Sequence, residues 1–137
     1  MNVEHQPLGY LLHRVHAALR SEMAGTVLEP LHLTFPEYIC LRMLSQGPGM
    51  SNAELARSVN VSRQAMNMVL RGLQERGLVT RPATAPAGRS RPAALTDAGA
   101  ELLRGTDSGV RAAEERVLST LTSDDRQAFW RILAALV

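Results

Sequence analysis

Apolar residues recur at helical spacing over most of the chain. From Leu8 to Leu28 one apolar stripe persists over four turns, which predicts a long amphipathic helix. The segment Pro36 to Ser45 is apolar almost throughout, so we expect a helix that neighbours cover on most sides. Thr34 precedes it and Glu37 follows three residues later, which is a capping-box arrangement at the start of a helix.

Two further helices are predicted in the second half of the chain. A long amphipathic segment runs from Thr96 to about Leu121, and Gly105 and Gly109 within it indicate a bend or a close helix contact. Thr122 then opens a last helix with apolar residues on one side.

The centre of the chain carries two short helices joined by a turn. Ser51 can cap a helix over Asn52 to Ser58, and Ser62 can cap a second helix that extends to Arg76. The second helix has apolar residues at positions i, i+3, i+4 and i+7, namely Met66, Val69, Leu70 and Leu73. About three residues connect the two helices, which is the pattern of a helix-turn-helix.

A β-hairpin is predicted directly after these helices. Gly77 can end the second helix in the left-handed conformation, and short strands follow over Leu78 to Arg81 and Ala93 to Leu95. The loop from Pro82 to Pro92 is rich in Pro, Ala and Gly and carries Arg89 and Arg91. Such a loop forms a wing long enough to reach a minor groove, where arginine is favoured.

Charge is distributed unevenly along the chain. The net charge is only +2, but residues 51 to 96 contain seven Arg against two Glu, and the remainder contains eight Arg against eleven acidic residues. The positive charge is therefore concentrated around the helix-turn-helix, as expected for a surface that meets a polyanion. A length of 137 residues fits one domain, and the scarcity of aromatic residues favours a helical core.

Cysteine and histidine usage gives no sign of metal or redox chemistry. Cys40 is a single cysteine inside an apolar segment, so we expect it to pack in the core rather than to act as a peroxide sensor. His13 and His16 form the only closely spaced histidine pair, which is a weak metal signal. We expect no cofactor, no metal and no enzymatic activity. Without a secretion signal or a membrane-length apolar run, a cytoplasmic location is expected.

Five short motifs in the chain belong together. They are Leu-His-Leu-Thr-Phe-Pro-Glu-Tyr (31 to 38), Asn-Ala-Glu-Leu-Ala (52 to 56), Val-Ser-Arg-Gln-Ala-Met (61 to 66), Gln-Glu-Arg-Gly-Leu-Val-Thr-Arg (74 to 81) and Leu-Thr-Asp-Ala-Gly (95 to 99). With them the chain resembles the MarR family of bacterial transcriptional regulators. This resemblance implies a winged helix-turn-helix protomer, a homodimer built from the terminal helices, and binding to a palindromic operator on double-stranded DNA. It also implies release of the DNA by a small aromatic acid or phenolic effector.

The sequence departs from the family pattern at two positions. The family's wing usually carries Asp-x-Arg, and alignment on Leu-Thr places Ala87 where the Asp is expected and Arg89 at the Arg. Arg89 then lacks the carboxylate that orients it, and Arg91 can assist it. Gly72 stands in the second helix where a long polar residue is more usual.

The candidate DNA-binding residues lie on the second helix and on the wing. Their side chains suit phosphates and base edges, because amides pair with adenine and guanidinium groups with guanine or phosphate. The alternative is a solvated helix face, and Ser62 has a capping role that competes with DNA contact. The candidates are Ser62, Arg63, Gln64, Asn67, Arg71, Arg89 and Arg91.

An effector pocket is indicated more weakly. Arg14 and His16 on the first helix can pair with the carboxylate of an aromatic acid, and Tyr38 can line the pocket. Solvated or dimer-interface polar residues are the alternative reading of the same positions.

The resulting prediction is a mainly α fold with a small β wing. Residues 1 to 33 and 97 to 137 are expected to form a helical dimerisation region, and residues 34 to 96 a winged helix-turn-helix lobe. The function expected is that of a homodimeric repressor released from a palindromic operator by an aromatic ligand. The rival is a winged-helix protein-interaction module that binds no operator.

Overall fold

The computed structural model describes residues 5–47, 49–81 and 92–137. The chain divides into two compact units. We call residues 28–107 the lobe, and residues 1–27 with 108–137 the helical unit. The functional boundaries expected from the sequence, at residues 34 and 96, therefore lie inside the lobe.

The first helix of the helical unit changes its type before it ends. Helix α1 spans Leu8–Met23, and a π-helical turn over Ala24–Leu28 and a 3-10 turn over Glu29–Leu31 follow it. The predicted helix from Leu8 to Leu28 is thus α-helical only as far as Met23. Glycine and β-branched residues in this stretch disfavour the α-helix, and the hydroxyl of Thr26 donates a hydrogen bond to the Glu22 carbonyl at 2.7 Å.

The predicted continuous helix from Thr96 to Leu121 is wrong, because the structure has two helices there. Helix α5 spans Asp97–Gly105 and helix α6 spans Asp107–Val117. Thr106 lies between them, is buried, and donates its hydroxyl to the Leu103 carbonyl at 2.6 Å. The close contact expected at Gly109 is confirmed, since a Cβ there would lie 2.9 Å from a methyl carbon of Val27. Helix α7 spans Ser123–Leu136 and is capped by Thr122.

The lobe begins with the buried helix that the apolar segment predicted. Helix α2 spans Phe35–Gln46, and the predicted capping box is present. The Thr34 hydroxyl accepts from the Glu37 amide at 3.2 Å, and the Glu37 carboxylate accepts from the Thr34 amide at 2.9 Å. The residues of α2 that enter the core are Tyr38, Cys40, Leu41 and Leu44.

The helix-turn-helix follows with helix bounds close to those expected. Helix α3 spans Asn52–Val59 and helix α4 spans Arg63–Glu75. The serines predicted as caps have that role: Ser51 accepts from the Glu54 amide at 3.1 Å, and Ser62 accepts from the Ala65 amide at 3.0 Å. Between the helices the chain turns at Asn60, whose φ of 60° is left-handed.

A two-stranded antiparallel sheet completes the lobe. Strand β1 spans Val79–Thr80 and strand β2 spans Ala94–Leu95. Val79 pairs with Leu95 and Thr80 pairs with Ala94, so both strands are shorter than the sequence suggested. An additional bridge joins Met50 to Ala93, which the sequence did not indicate.

Candidate nucleic-acid interface

Helix α4 has one fully buried side and one exposed side. Met66, Leu70 and Leu73 have no accessible surface and fix the helix on the lobe core. The predicted DNA-contacting residues Ser62, Arg63, Gln64 and Arg71 are exposed, and Asn67 is partly exposed. The lobe therefore holds a polar, positively charged helix face in water with its orientation set by apolar packing beneath it.

Both ends of α4 are also held by hydrogen bonds from side chains. Near the start, the Asn52 amide of α3 donates to the Arg63 carbonyl at 3.5 Å. After the end, the Arg76 guanidinium donates to the carbonyls of Leu31 and His32 at 3.0 and 2.9 Å. His32 has a left-handed backbone with φ of 53°, and its amide donates to the Glu29 carbonyl at 3.0 Å, so Arg76 binds the carbonyls of a hydrogen-bonded turn. These contacts restrict rotation of α4 against the rest of the lobe.

Asn67 has a partner that the sequence did not reveal. The guanidinium of Arg81, just beyond β1, donates to the Oδ1 atom of Asn67 at 3.1 Å. Such a bond fixes which way the amide points, because the oxygen faces Arg81 and the Nδ2 donors face the other way. Any base preference that Asn67 confers therefore depends on Arg81 as well.

Ser62 occupies the N-cap of α4, as expected. Its hydroxyl oxygen accepts the bond from the Ala65 amide, and the residue itself is exposed. The N-terminus of a helix carries partial positive charge and unpaired amides, which together favour an anion such as phosphate. Capping and phosphate contact are compatible roles for Ser62, because the hydroxyl hydrogen is not used by the cap.

The predicted wing arginines, Arg89 and Arg91, lie outside the described residues, and so does Ala87. The structure does describe the base of the wing. There the Thr96 hydroxyl donates to the Gly77 carbonyl at 2.6 Å and accepts from the Gly99 amide at 3.0 Å. Thr96 thus ties the end of α4 to the start of α5 across the sheet.

The structure explains why the Leu-Thr-Asp-Ala-Gly motif ends in a glycine, Gly99. A Cβ at this position would lie 2.1 Å from the carbonyl oxygen of Leu78, which no side chain can tolerate. Helix α5 therefore approaches the backbone before β1 more closely than any residue with a side chain allows. The motif is a packing requirement of the winged fold.

The three candidate effector residues lie in different units. Tyr38 is buried in the lobe, and its hydroxyl accepts a hydrogen bond from Arg42 at 3.1 Å. Arg14 and His16 are exposed on α1 of the helical unit. Arg42 was not singled out from the sequence, although its spacing of four residues from Tyr38 on a helix was a usable signal.

A cavity of about 440 Å³ lies beside Arg42 within the lobe. Arg42 also binds the Asp107 carboxylate at 3.1 Å. Burial opposes the charge on Arg42, but the hydrogen bonds to Tyr38 and Asp107 outweigh burial and raise its pKa. The cavity is lined by Arg42, Leu44, Ser45, Ala94, Leu95, Ala100, Leu103, Arg104 and Asp107.

Cys40 has the properties of a core residue. It is fully buried, and burial raises the pKa of its thiol to about 12, with a smaller contribution from the negative charge of Glu37. A thiol with this pKa stays protonated at neutral pH, and the thiolate is the reactive form.

Neither a metal-binding cluster nor a membrane-spanning helix is present in the part of the chain that the structure describes. Over residues 5–47, 49–81 and 92–137, no group of three or more His, Cys, Asp or Glu is placed to hold a metal ion. Within the same ranges, no helix is long and apolar enough to cross a membrane.

Comparisons with known proteins agree on one family. The sequence model of the MarR family matches residues 32–90. The HTH-type transcriptional repressor Rv2887 of Mycobacterium tuberculosis is 54% identical over 130 residues, which cover 95% of this chain and 93% of the repressor.

Two solved structures of that M. tuberculosis protein are also similar. Its complex with p-aminosalicylic acid matches with a TM-score of 0.83 and 53% identity, over 96% of this chain and 98% of that one. Its complex with DNA matches with a TM-score of 0.79 and 50% identity, over the same shares of the two chains.

Proposed function

Because this chain belongs to the MarR family, we propose that it is a homodimeric, sequence-specific DNA-binding regulator that represses transcription from a palindromic operator. The observation that carries the proposal is the exposed basic face of α4, held rigidly on a buried apolar face. The relative solved in complex with DNA supports it, since that protein shares half of its residues with this chain.

In this proposal, α4 enters the major groove of each half-site. Arg63 and Arg71 bind phosphate or guanine, and Gln64 and Asn67 bind base edges. Ser62 contacts a phosphate at the N-terminus of the helix. Arg89 and Arg91 flank these contacts from the wing. We expect Asn67→Ala to change base preference and Arg89→Ala to weaken binding to all sequences, as measured by competition between duplexes.

The homodimer is supported by the apolar surface of the helical unit. Residues 1–33 and 97–137 form the proposed dimerisation region. Leu8 and Leu12 on α1 and Trp130, Ile132 and Leu136 on α7 are exposed in the single chain. Each such side chain is worth about 1.5–3 kcal/mol when it is fully buried. A two-fold dimer that covers them matches the symmetry of a palindromic operator.

The proposed effector is a small aromatic acid or phenol, by analogy with the relative that was solved with p-aminosalicylic acid. The cavity beside Arg42 offers apolar surface from Leu44, Leu95 and Leu103 for a ring. Arg42 offers a guanidinium for the carboxylate in exchange for Asp107. That ion pair is about one-third to one-half exposed, so exchanging it costs little, on the order of 1 kcal/mol or less.

Arg14 and His16 on α1 remain a second proposed site for the effector, whereas Tyr38 belongs to the lobe and bonds to Arg42. Titration calorimetry with p-aminosalicylate separates the two sites. Loss of heat in Arg42→Gln but not in Arg14→Gln places the ligand in the lobe cavity, and the reverse result places it at α1. If neither substitution changes the heat of binding, both site assignments are wrong. If the wild-type protein itself releases no heat with p-aminosalicylate, this effector class is wrong.

The proposal further includes a cytoplasmic location and no enzymatic activity, because the family is one of transcription regulators. The rival is a winged-helix module that binds another protein and no operator. It predicts that duplex DNA binds weakly, if at all, and without sequence preference.

Selection from random duplexes, followed by a mobility shift, decides between the two functions. The full-length protein should enrich a palindrome with half-sites about one helical turn apart. Binding should weaken steeply as salt increases, because protein cations displace condensed counterions from DNA. Failure to enrich any sequence under low-salt conditions would contradict operator binding and favour the protein-interaction module.

A further inference from the structure

Met68 is an apolar residue in an unexpected place on the proposed DNA-reading helix. Its side chain is 68% exposed, whereas Met66, Leu70 and Leu73 on the same helix are completely buried. Among the residues that the structure describes, Met68 is the one large apolar side chain of the lobe that is exposed to this degree. Core packing therefore does not account for Met68.

The neighbours of Met68 on the helix surface are polar or small. Residues four apart lie one above the other on a helix, so Gln64, Met68 and Gly72 form one row. The adjacent row contains Arg63, Asn67 and Arg71, which supply positive charge and an amide. Met68 thus lies inside the proposed DNA-binding face.

Gly72 leaves room directly beyond Met68. A Cβ added at Gly72 would meet none of the described atoms within 4 Å, so the surface there is open. Met68 consequently projects from the helix one turn before a position without any side chain. Its thioether chain is long, unbranched and polarizable, which lets it adapt to a small apolar group.

The major groove of DNA offers one apolar feature of this kind, the C5-methyl group of thymine. Resting on the DNA binding proposed above, we propose that Met68 contacts the C5-methyl group of a thymine in each operator half-site and is a specificity-determining residue. The flanking arginines favour duplex DNA as the occupant of this face over an apolar protein surface or a second copy of the chain.

Replacement of thymine by deoxyuridine tests this contact, because it removes only the methyl group. Once the preferred duplex is known, each thymine of the half-site is replaced in turn and the Kd is measured for wild type and Met68→Ala. Loss of one buried methyl group should weaken wild-type binding roughly fourfold per half-site, or roughly fifteenfold when both half-sites are substituted. Met68→Ala should bind the thymine and deoxyuridine duplexes equally well.

Gln74→Ala is the matched control, because residue 74 is exposed on the same helix and has no proposed contact with DNA. This variant should keep the wild-type ratio between thymine and deoxyuridine duplexes, whatever its own affinity. An unchanged melting temperature checks that Met68→Ala folds, as expected for an exposed position.

The outcomes separate this inference from the proposed function. If wild-type protein shows no salt-dependent duplex binding, operator binding itself is wrong. If the wild type binds its duplex, but deoxyuridine weakens binding at no thymine position or weakens it equally in Met68→Ala, only the methyl contact is wrong. A change in oligomeric state of Met68→Ala without any change in the deoxyuridine response would assign Met68 to a protein interface and overturn the inference.

Discussion

Helices α4 and α7 are similar in length but differ in how the chain covers their apolar residues. Helix α4 buries three residues completely and presents mainly polar residues to water. No residue of α7, which the structure describes in full, is buried, and Trp130, Ile132 and Leu136 are about half or more exposed. The apolar face of α4 is covered within one chain, whereas α7 keeps apolar side chains exposed to water.

This difference indicates that one chain is enough to orient α4 but not to cover the apolar surface of α7. The orientation of α4, the proposed DNA-binding helix, is fixed by contacts within the lobe, so this part of the proposed site is formed by one chain alone. The described residues of the helical unit leave apolar surface of α7 exposed, so a second chain is the natural partner in the proposed homodimer. Four experiments test this contrast.

The largest effect is expected at Gly99, in the completed lobe. A methyl group at this position would lie 2.1 Å from the Leu78 carbonyl oxygen. The atoms nearest to this methyl group belong to the backbone carbonyl of Leu78, which cannot move aside as a flexible side chain can, so Gly99→Ala should lower the free energy of unfolding by roughly 4 kcal/mol in urea denaturation. Gly105→Ala is the control, since no described atom lies within 4 Å of its added Cβ. Equal stability of the two variants would contradict the close packing.

The next effect is expected on α7. Combining Ile132→Glu with Leu136→Glu should weaken the dimer about 100-fold or more, about 2.7 kcal/mol, because charged side chains would be buried in the interface. Sedimentation velocity over a concentration series measures this change. Gln127→Glu adds negative charge at an exposed position of the same helix and should leave the dimer intact. A monomeric wild-type protein at micromolar concentration would contradict the role of α7.

A smaller difference is expected between two capping threonines. Thr96 both caps α5 and donates to the Gly77 carbonyl. Thr122 caps α7 through the bond from the Asp125 amide at 3.1 Å. We expect Thr96→Val to cost about 2 kcal/mol and Thr122→Val about 1 kcal/mol of unfolding free energy. Thermal or urea unfolding of both variants measures the difference. A greater loss of unfolding free energy in Thr122→Val than in Thr96→Val would contradict the double role of Thr96.

The last effect is confined to alkaline pH and concerns Cys40 in the lobe core. Its pKa is raised from 9.0 to about 12, mainly by burial. A raised pKa favours the protonated thiol in the folded state, so this stabilisation is complete below pH 9 and is lost as pH rises towards 12. The free energy of unfolding should therefore fall more steeply over this range in wild type than in Cys40→Ala. Equal slopes, or rapid thiol labelling of the folded protein at pH 8, would contradict the buried thiol.

The sequence predicted those parts of the fold that depend on local patterns. Serine and threonine caps, the apolar face of α4 and the left-handed Gly77 depend on neighbours in the chain, and each is confirmed. The interruption at Gly105 was expected only as a bend, and the separation into two helices was missed, because a buried Thr106 that bonds to its own preceding turn leaves no pattern in the sequence.

Pairs that are distant in the chain could not be predicted. The Arg81–Asn67 bond, the Arg76 contacts and the Arg42–Asp107 pair join residues 14 or more positions apart. The exposure of Met68, in contrast, had a signal in the sequence that was missed. Met68 is two positions from both Met66 and Leu70, which places it on the side of the helix opposite the apolar face.

The salt dependence of operator binding tests the central claim most directly, namely that the exposed face of α4 meets DNA. The logarithm of the binding constant is measured against the logarithm of salt concentration for the wild type, Arg71→Gln and Arg111→Gln. Arg71 lies on the exposed face of α4, and Arg111 is exposed on α6. Arg71→Gln should reduce the slope by about two per dimer, and Arg111→Gln should leave it unchanged. Identical slopes for wild type and Arg71→Gln would contradict the account.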